Sequence, residues 1–213
     1  MAGFALTNSQ AILIDDFNSY VNTSYIQQQN TAWSRFGGAT TDGISSIAGG
    51  VGGTRGAAYS VNFANGTGSV KYTFSTLQNY TATTVLTLDL QIPLSLAGTQ
   101  VQAVIYDGVA GSSQTIYQTT AQSFTNATYI TYTFDFTTAN TTRAQGAASL
   151  ADVLTNVSAI GFRFSNTNGT GSASVQFDNL YVVPEPSTVA ALGLAGVVFG
   201  IYRIRSRQRT RCA

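Results

Sequence analysis

The stretch TVLTLDLQI (residues 84–92) decides the fold. Leu86, Leu88, Leu90 and Ile92 fall on one phase of a two-residue period; Thr87, Asp89 and Gln91 fall on the other. Successive side chains of a strand point to opposite faces, so this stretch is a strand with one dry and one wet face. The pattern recurs at residues 128–136 (TYITYTFDF), where Ile130, Tyr132, Phe134 and Phe136 alternate with Thr131, Thr133 and Asp135. Working outward, GAAYSVNF (56–63), SVKYTFS (69–75), VQAVIYD (101–107), QTIYQT (114–119), VSAIGFRFS (157–165) and SVQFDNLYVV (174–183) read the same way. The last loses its alternation near Asn179. Glycine, asparagine and serine clusters separate these runs, as turns require. Between residues 12 and 183 there is no long helical period. SLADVLTN (149–156) reads as one helical turn capped by Ser149, with Asp152 at the third helical position. GGATTDGISSIAGGVGGTRG (37–56) lacks the Lys-Ser/Thr of a phosphate loop and reads as a surface loop. Roughly eight to ten antiparallel strands of this kind make an all-β sandwich or jelly roll, because two packed sheets bury their apolar rows.

The composition narrows the partners. The chain has 213 residues and is 44% hydrophobic but 9% charged, against about 25% charged in ordinary globular proteins. Thr, Ser, Asn, Gln and 21 Gly fill the gap. Neutral hydroxyls and amides hydrate such a surface, which suits an extracellular or sugar-rich setting. Of the 10 basic residues, Arg203, Arg205, Arg207, Arg209 and Arg211 crowd the C-terminus. The rest of the chain sets Arg35, Arg55, Lys71, Arg143 and Arg163 against 9 acidic residues. It is mildly acidic, so no nucleic-acid partner is expected. The single Cys, Cys212, excludes an internal disulfide, and the absence of His removes the commonest general base and metal ligand.

The two ends differ from the body. Residues 189–202 carry no charge and are dominated by Val189, Leu192, Leu194, Val197, Val198, Phe199 and Ile201. With flanking arginines that snorkel, the run approaches the length of a membrane span. Positive residues stay on the cytoplasmic side, so the body is expected outside. Such export calls for a secretory signal. Ser9, Gln10 and Ala11 have the small-x-small form of a signal peptidase site, and residues 1–11 read as the remnant of a signal peptide. The expected organisation is therefore 1–11 signal remnant, 12–183 β-sandwich, and 184–213 tail.

Pro184, Glu185 and Pro186, followed by a short glycine-containing apolar span and then clustered arginines, resemble a PEP-CTERM sorting signal. The resemblance covers about one seventh of the chain. It implies export in a Gram-negative bacterium, an inner-membrane anchor, and recognition by exosortase at the Pro-Glu-Pro box. It also implies an association with extracellular polysaccharide after processing. Each proline fixes φ and removes an N–H, so the box is expected to be extended and excluded from sheet and helix alike. The body, from ILIDDF near its start to FDNLYV at its end, loosely resembles galactose-binding-like jelly rolls, in which first and last strands are neighbours.

That resemblance implies a structural Ca²⁺ held by Asp15, Asp16 and Asp178, against the plainer alternative of solvated strand-end carboxylates. Trp33, the single Trp, suits either a sugar-stacking platform, with Tyr25 or Tyr59, or core packing. Asp89 and Asp135 share a polar phase and form the best candidate pair for glycoside hydrolysis, although an enzyme lacking His and a body Glu is poorly supplied. The expectation is a non-enzymatic surface or matrix protein. A carbohydrate-binding module with calcium is the alternative, and a polysaccharide-active enzyme the weaker one.

Overall fold

The computed structural model describes residues 11–21, 25–36, 40–81, 85–92, 98–109, 111–169 and 171–183. They form two antiparallel sheets packed face to face. The six-stranded sheet contains β1 (Ile12–Asp15), β3 (Thr40–Ala48), β4 (Arg55–Asn62), β6 (Val85–Gln91), β10 (Ile130–Asp135) and β13 (Ser172–Val183), in the order β10-β6-β13-β4-β3 with β1 also on β13. The seven-stranded sheet contains β2 (Trp33–Phe36), β5 (Gly68–Gln78), β7 (Thr99–Asp107), β8 (Ile116–Thr119), β9 (Gln122–Ser123), β11 (Thr141–Gln145) and β12 (Val157–Asn166). Its order is β11-β8-β7-β12-β5-β2, with β9 on β7. The apolar phases meet between the sheets: Leu86, Leu88, Leu90, Ile92, Ala57, Tyr59, Val61, Phe63, Phe134 and Phe136 are all buried in one core with Val70, Phe162 and Phe164 of the opposite sheet.

β13 organises its sheet. Along one side it pairs with β6. Along the other it pairs first with β4, through residues 172–177, and then with β1, through Leu180, Tyr181 and Val182. The expected adjacency of first and last strands is therefore present. At the handover the register slips between Asp178 and Tyr181, and Asn179 takes φ 49°. Asn is among the few residues that visit this left-handed region readily. That bulge is the disturbed alternation read near Asn179.

Two expectations need correction or stand. Residues 37–56 are not a loop throughout, since β3 occupies Thr40–Ala48 and pairs with β4. The buried row of β4 needs a covered flank, and Ile44 of β3, itself completely buried, supplies apolar cover there; packing overrides the weak strand preference of Gly, Thr and Ser. By contrast, α2 (Leu150–Thr155) forms with the full capping box expected of Ser149 and Asp152. The only other α-helix among the described residues is α1 (Ile26–Gln29), and no described helix is long and apolar enough to cross a membrane. The expected span at 189–202, the Pro-Glu-Pro box and the arginine cluster lie outside the described residues, as do residues 1–10.

One carboxylate ties the two sheets together. Asp15, at the end of β1, accepts from the backbone N–H of Phe17 on Oδ1 (2.8 Å). Its Oδ2 accepts from the Tyr20 hydroxyl (2.5 Å) and from Trp33 Nε1 (2.8 Å) across the sandwich. Phe17 adopts φ 57° to make this turn, and its buried ring packs edge-on against Phe177 with centroids 5.3 Å apart. Asp15→Ala leaves three donors without their acceptor, at about 1–3 kcal/mol for each buried group left unsatisfied. The expected outcome is a loss of about 3 kcal/mol or more in unfolding free energy, read by urea titration with Trp33 emission as the signal. A loss near zero contradicts this role for Asp15.

Candidate functional site

The outer face of the seven-stranded sheet is built in rows. Val101, Ala103 and Ile105 of β7 face the core, so Gln102, Val104 and Tyr106 face away from it. Register then places Ser34, Lys71, Gly161, Val104, Gln118 and Thr142 in one row across the sheet. Ser69, Arg163 and Gln102 form the next row on one side; Thr73, Ala159, Tyr106, Ile116 and Gln145 form the next on the other. Gly161 keeps the floor low. A Cβ there would stand 2.6 Å from the Val70 carbonyl oxygen, so the position takes no side chain without moving β5.

The result is a shallow cavity of about 280 Å³, with Thr67, Ser69, Tyr106, Gln118, Gln145 and Arg163 among its walls. Arg163 donates from Nε to Thr67 Oγ1 (3.2 Å) and from Nη1 to Gln118 Oε1 (3.4 Å). Lys71 Nζ lies 5.3 Å from the centroid of the Tyr106 ring, within cation–π range. Burial pushes the Tyr106 hydroxyl well above its ordinary pKa, with the Arg163 charge opposing, so it stays a neutral donor. The rows thus offer amides, hydroxyls, one ring and two cations. They contain no carboxylate, so this groove lacks the acid pair that glycoside hydrolysis uses.

The residues singled out from the sequence lie elsewhere. Trp33 is 2% exposed. Its ring contacts Phe17 (5.3 Å), Tyr72 (5.3 Å) and Phe177 (6.0 Å), and its N–H is held by Asp15. The core alternative describes its position; a stacking platform requires a ring face open to solvent. Tyr59 is likewise buried. Asp89 and Asp135 share β6–β10 but not a site. Asp89 is opposite Thr131 and Asp135 opposite Val85, four residues along, or about 13 Å by strand rise. Hydrolytic pairs stand about 5–10 Å apart.

Asp15, Asp16 and Asp178 are near the same end of the six-stranded sheet but are committed to protein donors. Both Asp15 oxygens are engaged as described above. Asp16 Oδ1 accepts from Asn18 N (3.1 Å). Asp178, with no exposed surface, accepts from Val51 N on Oδ2 (2.8 Å) and from Asn179 N on Oδ1 (2.8 Å). Gly50 permits this approach, since a Cβ there would lie 2.5 Å from Asp178 Oδ2. These donors compete with an ion for the carboxylate oxygens, and the three carboxylates are not gathered into one metal-holding group. Among the described residues no group of three His, Cys, Asp or Glu is placed to hold a metal. The melting temperature is therefore expected to be the same in millimolar calcium and in chelator; a clear rise with calcium reverses this conclusion.

Asp178 instead centres a polar cluster at the β13 bulge. Asp89, its register partner, accepts from Thr131 Oγ1 (2.5 Å) and Asn179 Nδ2 (2.9 Å). The Tyr129 hydroxyl nearby is buried without a partner, and burial, then Asp178 and Asp89, push it up to about 12. Burial raises the Asp178 carboxyl, backbone donation from Val51 and Asn179 opposes, and the Asp89 and Asp16 charges add to the rise. A raised carboxyl favours the folded state most below its unfolded value of about 3.9 and loses that contribution as pH climbs through the raised value. Asn cannot titrate. The melting temperature of Asp178→Asn relative to the parent is thus expected to fall on going from about pH 7 to about pH 4. A pH-independent difference speaks against a raised carboxyl.

Comparison with known proteins places the C-terminus. Residues 182–208 match the PEP-CTERM protein-sorting motif. The match begins on the last two residues of β13. No curated protein matches the chain. Similar solved structures include the Family 11 carbohydrate-binding module of the cellulosomal cellulase Lic26A-Cel5E of Clostridium thermocellum. It shares 15% identity over 82% of this chain and 95% of that one, with a TM-score of 0.56. A Clostridium thermocellum Family 11 module in complex with a β-1,3-1,4-mixed-linked tetrasaccharide shares 15% identity over 82% and 95%, with a TM-score of 0.53. CBM27-1 of Caldicellulosiruptor saccharolyticus, in complex with mannohexaose, shares 14% over 83% and 98%, with a TM-score of 0.54. At these identities the likeness carries the fold: a jelly-roll sandwich. The groove residues Lys71, Tyr106, Gln118 and Arg163 went unread in the sequence. Their one signal was VQAVIYD, where Val104 and Tyr106 are apolar on the phase opposite Val101, Ala103 and Ile105.

Proposed function

We propose that this chain is an exported, non-enzymatic surface protein, sorted by its C-terminal tail, whose sandwich contacts extracellular polysaccharide. The observation that carries the reading is the junction: the sorting motif starts within β13, so the sandwich is the cargo and the tail its address. Residues 1–11 are the remnant of a secretory signal, 12–183 the body, and 184–213 the tail. Residues 189–202 span the inner membrane, and Arg203, Arg205, Arg207, Arg209 and Arg211 hold their end on the cytoplasmic side, as positive charge does. Exosortase acts at Pro184, Glu185 and Pro186, where proline keeps the backbone extended and free of ladder bonds. The body then passes to the cell surface or matrix.

Contact with glycan is supported by the sandwich's likeness to carbohydrate-binding modules and by the groove on the seven-stranded sheet. Hydroxyl and amide groups lining a shallow groove suit a polyol chain. The non-enzymatic reading is supported by those same modules and by the separation of Asp89 from Asp135.

Glu185→Ala with Pro186→Ala is expected to leave the chain at full mass in the membrane fraction, while the parent is recovered shortened from the surface fraction. Intact-mass spectrometry of fractionated producer cells reads both. Recovery of the parent at full mass from the cytoplasm refutes the proposal.

A further inference from the structure

The few charges of the body are sorted between the two sheets. Of the five cations outside the tail, four are in strands of the seven-stranded sheet: Arg35 in β2, Lys71 in β5, Arg143 in β11 and Arg163 in β12. Arg55 in β4 is the exception. The carboxylates divide the other way. Asp15, Asp42, Asp89, Asp135 and Asp178 are in strands of the six-stranded sheet, and Asp16 follows β1 directly. Asp152 caps α2. The one carboxylate within a strand of the seven-stranded sheet, Asp107, has left it for the following turn, where it accepts from Val109 N (3.1 Å) and Thr115 N (2.9 Å).

Two of those cations are on the outward rows: Lys71 is opposite Gly161 on the neighbouring strand, and Arg163 is two residues along Gly161's own strand. Arg163 is steered into the groove by neutral oxygens, those of Thr67 and Gln118, which leave its charge uncancelled. The Lys71 ammonium is 5.3 Å from the centroid of the Tyr106 ring, on the same outward rows. Arg35 and Arg143 fall on the opposite phase from these rows, so Lys71 and Arg163 are the strand cations that the groove face presents, and they set the field there.

We propose that the groove selects an acidic polysaccharide, one bearing carboxylate or sulfate groups, over neutral glycans. The inference rests on the groove being the glycan-contact face. Arg163 presents a planar fork that matches an oxyanion, and Lys71 adds a point charge. Two cations on adjacent outward rows suit a polymer with charge repeated along its length. Neutral sugars draw no benefit from either cation, whose desolvation then goes uncompensated.

The test is calorimetric titration of the full-length chain in non-ionic detergent. Tail arginines bind polyanions too, so all proteins carry Arg203, Arg205, Arg207, Arg209 and Arg211 each changed to Gln. The probes are a short oligouronate and a neutral mixed-linkage β-glucan oligosaccharide of equal length, at low and high sodium chloride. The oligouronate is expected to bind more tightly than the neutral probe, and to weaken about tenfold or more between about 20 and 500 mM salt, as ion pairs are screened. Arg163→Gln and, separately, Lys71→Gln are each expected to weaken it about tenfold. Arg143→Gln, on the same sheet but outside the groove rows, leaves it nearly unchanged. A thermal melt like the parent's confirms that each variant is folded, and Lys71→Gln serves if Arg163→Gln is not. Equal or tighter binding of the neutral probe overturns the acidic selectivity and leaves the groove as a glycan site. Oligouronate binding that neither groove variant alters overturns it as well. If neither probe binds, the reading of the groove as a glycan-contact face falls with it.

Discussion

The sandwich closes on a single carboxylate. Asp15 receives Phe17 N–H, Tyr20 O–H and Trp33 Nε1–H, and those donors come from a turn, a loop and the opposite sheet. A partly buried anion is tolerated because each oxygen is satisfied. In exchange it dictates geometry: Phe17 turns through a left-handed φ, and its ring reaches Trp33 and Phe177. The Phe17–Trp33–Phe177 cluster joins β13, the central strand of one sheet, to β2, the edge of the other. Removing the anion frees all of these at once, so a sandwich poor in charge still keeps a carboxylate here.

Most of the fold was legible from period-two alternation, because each strand has one face in a single continuous core. The rows Leu86–Leu88–Leu90 and Ala57–Tyr59–Val61 are buried as their phase requires. The helical turn at Ser149 was legible because a capping box is a local device. β3 was not, since Thr40–Ala48 is recruited by the flank of β4 and carries little preference of its own. The site was harder. Lys71, Tyr106 and Arg163 belong to three strands separated by 35 and 57 residues, and only strand order makes them neighbours. Alternation says that such residues face outward; it does not say which of two outer faces they share. Trp33 is a different case: a lone tryptophan beside polar residues reads as either a platform or core packing until the fold supplies Asp15 for its N–H.

Charge scarcity changes what each charge is worth. In a body with roughly a third of the usual ionic content, surface pairs do not average out, and the sorting of strand charges between the two sheets is left standing. The six-stranded sheet keeps its carboxylates by hydrogen-bonding them to Thr131, Asn179 and backbone N–H groups instead of to cations. The bulge at Asn179 has a part in this, since it aims both Asp178 and Asn179 into the polar cluster while shifting β13 from β4 to β1.

The position of β13 also has a mechanical meaning. The strand that runs into the tail is interior to its sheet, laddered to β6 along one flank and to β4 and β1 along the other. Tension applied through the C-terminus therefore enters along the strand axis and must shear many backbone bonds together; it cannot peel them one at a time from an edge. A load on the tail is thus received by an interior strand.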